Sequence, residues 1–180
     1  MKKEIKGWMS TNELQWLSET APGREVIVEI GSHQGRSTRV LGDNCPGTVH
    51  AVDPWPDDDS LQSPTGAQWR RDYLGVYNLF RRNLADLIAS NKVVPHRGFF
   101  EKGMFPEDFA DMIFIDGEHS ALGVMRDIRL ARPVLKPDGL MCGHDYGRDP
   151  GVALVVDKVY GDRVCHMTNK YGTIWWIKEA

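Results

Sequence analysis

The chain has 180 residues, 41% of them hydrophobic and 26% charged, and a formal net charge of −3. That size predicts one domain with one core, and that composition excludes a disordered or fibrous chain. The near-neutral charge gives no overall pull toward nucleic acid or an anionic membrane, and no apolar run approaches the length of a membrane span.

Met1-Lys2-Lys3 is basic but leads into no apolar stretch, so no secretory signal is expected and the expected location is the cytoplasm. Cys45, Cys142 and Cys165 form no close pair and read as reduced, mostly buried thiols. Ser10-Thr11-Asn12-Glu13 has capping-box spacing and predicts a short helix from about residue 11 that stops before Pro22-Gly23. Residues 1–24 read as a helical cap on a core spanning 25–180. Apolar, β-branched runs at 25–30, 48–52, 92–95, 111–115, 139–143, 163–168 and 173–178 have strand length, with helical segments between most of them. The longest predicted helix covers about 67–89, and its aromatic residues read as core.

Strands alternating with helices predict a parallel sheet covered on both faces. Only Asn169-Lys170-Tyr171-Gly172 joins the last two runs, which suits a hairpin and not a crossover. The expected fold is therefore α/β: a doubly wound, Rossmann-like, seven-stranded sheet, mostly parallel, with one antiparallel strand from a C-terminal hairpin. Arg70-Arg71 and Arg81-Arg82 read as a solvated helix face. The acidic loop 56–66 reads as an exposed segment placed to act as a lid.

In such a sheet ligands bind outside the carboxyl ends of the strands. After the first run, Gly31-Ser32-His33-Gln34-Gly35 lacks the third glycine of a dinucleotide loop, and the carboxylate of Glu29 ahead of it would repel a pyrophosphate but attract an ammonium group. His33 reads as a loop hydrogen-bonding residue. Asp53 ends the second run at the distance where an acid grips a ribose diol, and Trp55 is a candidate to stack on a base. Gly98-Phe99-Phe100 follows the third run. Two more runs end in the polar clusters Asp116-Gly117-Glu118-His119-Ser120 and Gly143-His144-Asp145-Tyr146, whose side chains can converge at one pocket mouth.

These motifs, with Leu135-Lys136-Pro137-Asp138-Gly139, resemble those of the small class I O-methyltransferases grouped with cephalosporin hydroxylase and macrocin O-methyltransferase, over about residues 25–160. The resemblance implies S-adenosylmethionine as cofactor and a small-molecule acceptor bearing a hydroxyl. Charge and run length point to neither nucleic acid nor membrane as partner, and the short caps available, residues 1–24 and the 56–66 loop, make a homodimer plausible. The resemblance also implies that Glu29, Gly31 and Gly35 line the methionine part, with Asp53 at the ribose and Asp116 near the sulfonium. The full expected cofactor set is Glu29, Gly31, Ser32, Gly35, Ser37, Asp53, Trp55, Gly98, Phe99 and Asp116. Some relatives hold magnesium or manganese through residues that map to Asp116, His144 and Asp145. Histidine in the middle position departs from that pattern and favours a softer ion or none. The expected catalytic residues are Asp116, His119 and His144, the histidines being candidate bases for the acceptor hydroxyl. Tyr146 and Ser120 are weaker candidates for substrate contact. The competing classes are a nicotinamide-dependent oxidoreductase and a non-catalytic cofactor-binding protein.

Overall fold

Seven strand-length apolar runs become seven strands because each is flanked by turn residues and pairs with a neighbour in one sheet. The computed structural model describes residues 4–56, 75–167 and 172–177. Its elements are α1 (Thr11–Thr20), β1 (Val26–Ile30), α2 (Arg36–Asn44), β2 (Thr48–Asp53), α3 (Val76–Asn83), α4 (Ala85–Ala89), β3 (Val93–Arg97), β4 (Ala110–Ile115), α5 (Ala121–Ala131), β5 (Leu135–Gly143), α6 (Pro150–Tyr160), β6 (Val164–His166) and β7 (Trp175–Ile177). The expected lid, Arg70-Arg71 and the first part of the expected long helix lie outside the described residues, as does most of the hairpin turn.

The strand order is β3-β2-β1-β4-β5-β7-β6. Pairings from β3 through β5 are parallel, and β7 runs antiparallel to both β5 and β6. The connection reverses direction between β1 and β4, so the crevice at their carboxyl ends is the switch point where a ligand is expected. Side chains alternate across β1: Ile27 joins one core with Leu17, Leu41 and Phe80, and Val28 joins the other with Ile113, Ile128 and Val156. Both layers are buried, as a doubly wound sheet requires.

Two expectations change. The long helix is broken at Leu84 (φ −117°, ψ 17°), whose fully buried side chain fills the space against Gly35 and separates α3 from α4. Strand β5 begins at Leu135 and so takes in Lys136-Pro137-Asp138-Gly139, residues poor in strand propensity. Pairing of Leu135 with Ala110, next to a register shift, extends the strand there. No helix among the described residues is long and apolar enough to cross a membrane.

Candidate functional site

The first loop is shaped by close approach. Gly31 has φ +92°, and a Cβ there would lie 2.1 Å from the Asp116 carbonyl oxygen. Only glycine lets the end of β1 lie so near the end of β4, where Asp116 N donates to Ile30 O at 2.8 Å. Gly35 (φ +86°) instead starts α2 and packs on Leu84.

A cleft of about 620 Å³ opens at the switch point, within the size range of small-molecule sites. Gly31, Asp53, Gly98, Phe99 and Asp116 line it, together with Arg126 and Asp127. The other expected cofactor residues do not. Glu29 is fully buried beneath the loop, where Oε2 accepts from Ser32 (2.6 Å) and from Thr38, while Oε1 has no partner. Ser37 is buried beside it and helps to oppose the effect of burial on Glu29. Trp55 is corrected outright. Its backbone takes φ +29°, which turns the ring back into the core against Tyr77 and Phe80, and Nε1 donates to His33 O at 2.8 Å. The aromatic ring available to a base is Phe99, which is 47% exposed.

Asp53 sits at the cleft with its side-chain oxygens accepting from the His33 and Trp55 amides at 2.9 and 3.0 Å. The two oxygens offer about four lone-pair sites, so beside the amides of Ser32, His33 and Trp55 a hydroxyl can still be gripped. His33 thus keeps a loop-bonding role. Asp127 was missed from sequence, although Val124, Asp127, Ile128 and Ala131 form the buried stripe of α5, and an aspartate on such a stripe is a legible signal. Arg126 holds its Oδ1, while Oδ2 has no partner. Burial raises the pKa of Glu29 to about 7 and of Asp53 to about 6, and it raises those of Asp116 and Asp127 as well.

Beside the cleft, strand ends β4 and β5 bring the polar clusters together. His144 Nδ1 lies 3.4 Å from Asp116 Oδ1 and 3.2 Å from Asp145 Oδ2, and its Nε2 lies 3.1 Å from Glu13 Oε1. Burial alone would push the imidazole pKa down, but the three carboxylates outweigh it and raise it far above the usual value. With carboxylates at both ring nitrogens, His144 has no nitrogen open to an acceptor hydroxyl, unlike His119. His119 Nε2 lies 3.1 Å from the same Asp145 oxygen, and at 45% exposure the ring remains open to an acceptor. Asp145 carries φ +61°, a conformation aspartate visits at some cost and one that concentrates at functional sites. Tyr146 and Ser120 are occupied elsewhere: the tyrosine hydroxyl donates to Asp157, and Ser120 caps α5 by accepting from the Gly123 amide. Neither lines the cleft.

The donor atoms of Asp116, His144 and Asp145 all lie within 4.8 Å of one another. One nitrogen and two carboxylate oxygens at that spacing fit a divalent ion of borderline softness, which would take the place of the Nδ1 proton.

A family model described as a methyltransferase domain matches residues 28–146. No curated protein matches in sequence. Among solved structures, a Klebsiella pneumoniae protein provisionally designated an O-methyltransferase superposes with a TM-score of 0.67 at 20% identity, over 94% of this chain and 81% of that one. The O-methyltransferase TomG of Streptomyces achromogenes, involved in tomaymycin synthesis and solved with S-adenosylmethionine, gives 0.65 at 16% identity, over 96% and 82%. An O-methyltransferase of Bacillus cereus solved with S-adenosylhomocysteine gives 0.62 at 17% identity, over 94% and 81%.

Proposed function

The chain belongs to the methyltransferase-domain family, and from that premise we propose that it transfers the methyl group of S-adenosylmethionine to a hydroxyl of a small molecule such as a sugar or secondary metabolite. The observation that carries this reading is the set of buried carboxyl groups around the cleft: Glu29, Asp53, Asp116 and Asp127 are all raised in pKa by burial. Acids outnumber the one cation lining this cleft, Arg126, whose guanidinium is bound to Asp127. S-adenosylmethionine brings an ammonium and a sulfonium, whereas a dinucleotide would add a pyrophosphate to an acidic pocket.

Gly31 and the loop after it receive the methionine part, with Glu29 acting on the ammonium through the loop or a water. Asp53 binds the ribose, Gly98 and Phe99 flank the adenine, and Asp116 faces the sulfonium. Transfer is an in-line displacement: the hydroxyl oxygen forms a bond to the methyl carbon as the carbon–sulfur bond breaks, and that electron pair stays on sulfur. The hydroxyl proton goes to His119, whose Nε2–H is directed at Asp145 so that Nδ1 is the acceptor. Asp116, His144 and Asp145 would hold a divalent ion, which, when bound, would polarise the acceptor oxygen.

Isothermal titration with S-adenosylhomocysteine tests the cofactor assignment, run with magnesium, with manganese, with EDTA, and in parallel with NADH. Binding of S-adenosylhomocysteine but not NADH is expected. Heat from NADH alone would overturn the assignment.

The raised carboxyl groups also fix a pH dependence. Glu29 and Asp53 hold protons more tightly folded than unfolded, so this contribution favours the folded apoprotein at low pH. It is lost as pH rises from about 4 through about 7. The ammonium and ribose of the ligand are held best by the ionised forms, so its affinity moves the opposite way. The association constant for S-adenosylhomocysteine should rise about 10-fold or more from about pH 5 to about pH 7, with proton release, and level off above about pH 8. A flat profile in two buffers of different ionisation heat would remove these carboxyl groups from binding.

A further inference from the structure

Glu13 does more than a capping box asks of it. In that motif the third helical residue accepts a hydrogen bond from the cap amide, and Glu13 Oε2 does so from Ser10 N at 2.7 Å. Its other oxygen serves no helix. Oε1 accepts from Thr173 N at 2.7 Å and Thr173 Oγ1 at 2.9 Å, and lies 3.1 Å from His144 Nε2. The side chain is only 2% exposed, so these contacts hold it in one place.

The consequence falls on His144. With Nε2 committed to Glu13, Nδ1 is the nitrogen turned toward Asp116 Oδ1 and Asp145 Oδ2. We infer that Glu13 is a positioning residue which, from the N-terminal helix, fixes the tautomer and ring orientation of His144 so that Nδ1 joins Asp116 and Asp145 as a donor to a divalent ion. This rests on the reading that the three residues take such an ion. A carboxylate behind a ligating imidazole locks the ring and raises its basicity, and losing that support typically lowers metal affinity about 10- to 100-fold. A purely structural bolt joining α1 to the Thr173 segment would need the contacts with Thr173 but not the one with His144.

Manganese binding to the full chain separates these roles, measured by calorimetry and electron paramagnetic resonance for wild type, Glu13→Gln and Ser10→Ala. Each variant is also characterised by Tm and by affinity for S-adenosylhomocysteine. Glu13→Gln should weaken manganese about 10- to 100-fold and leave S-adenosylhomocysteine within about twofold. Ser10→Ala removes the cap hydroxyl, so it should lower Tm and leave manganese affinity alone. Should Glu13→Gln not fold, pulsed resonance on the manganese-loaded wild type still decides whether an imidazole nitrogen is coupled to the ion, as the inference requires. Equal manganese affinity in wild type and Glu13→Gln, or no nitrogen coupling, overturns the role of Glu13. Absence of manganese binding to wild type overturns the ion site and this inference together, and S-adenosylhomocysteine binding would then stand apart from both.

Discussion

Gly31→Ala is expected to lower Tm by about 4 to 20 °C and to abolish measurable binding of S-adenosylhomocysteine. Two effects add. A side chain at φ +92° costs about 1–2 kcal/mol, and its Cβ would meet a backbone oxygen, that of Asp116, at 2.1 Å. The oxygen cannot swing away as a side-chain tip would, because Asp116 N is bonded to Ile30 O. Forcing the strand ends apart is overpacking in its stiffest form, which adds about 1–3 kcal/mol. A total of about 2–5 kcal/mol corresponds to a fall of about 4–20 °C at about 2–4 °C per kcal/mol for a chain of this size. The displacement opens the crevice that Gly31 and Asp116 line. Unchanged thermal scans would mean that β1 and β4 do not approach as described.

Asp116→Asn separates charge from shape. The amide keeps the volume, so S-adenosylhomocysteine, which lacks the sulfonium, should bind nearly as before. S-adenosylmethionine should weaken. A carboxylate about 5 Å from a sulfonium contributes about 3 kcal/mol at an effective dielectric of about 20. Solvent at the mouth, where the side chain is 19% exposed, reduces that to about 1–2 kcal/mol, or about tenfold in affinity. Manganese affinity should fall about 10- to 100-fold, because a neutral amide oxygen replaces an anionic donor. An unchanged ratio of the two cofactor affinities would move the sulfonium away from Asp116.

The strands were legible because period and run length survive without tertiary information: each of the seven runs is a strand within a few residues, and the short last connection foretold the antiparallel β7. Lys136-Pro137-Asp138-Gly139 was not, since pairing with β4 overrode weak propensity there. Gly31, Asp53, Gly98, Phe99 and Asp116 could be read as cleft residues because strand ends in this topology must face the crevice. Trp55 could not be placed, because a turn with positive φ reverses the direction in which a side chain points and the sequence around it carries no mark of that. The same limit hid the state of His144. Its proton is fixed by three carboxylates, one of them Glu13, which sits in a helix on the far side of the sequence. Asp127 was legible in principle and overlooked.

The junction of Glu13 with Thr173 spans 160 positions of sequence. Closing so long a loop is entropically late, and a chain made from its N-terminus holds Glu13 idle until Thr173 has been synthesised. Strands β1 to β5 can align their carboxyl ends before then, but Glu13 Oε1, which faces the imidazole at the end of β5, is pinned only once Thr173 is in place. The fold thus carries an order of assembly: the strand ends that line the cleft can form before the contact that fixes Glu13 behind His144.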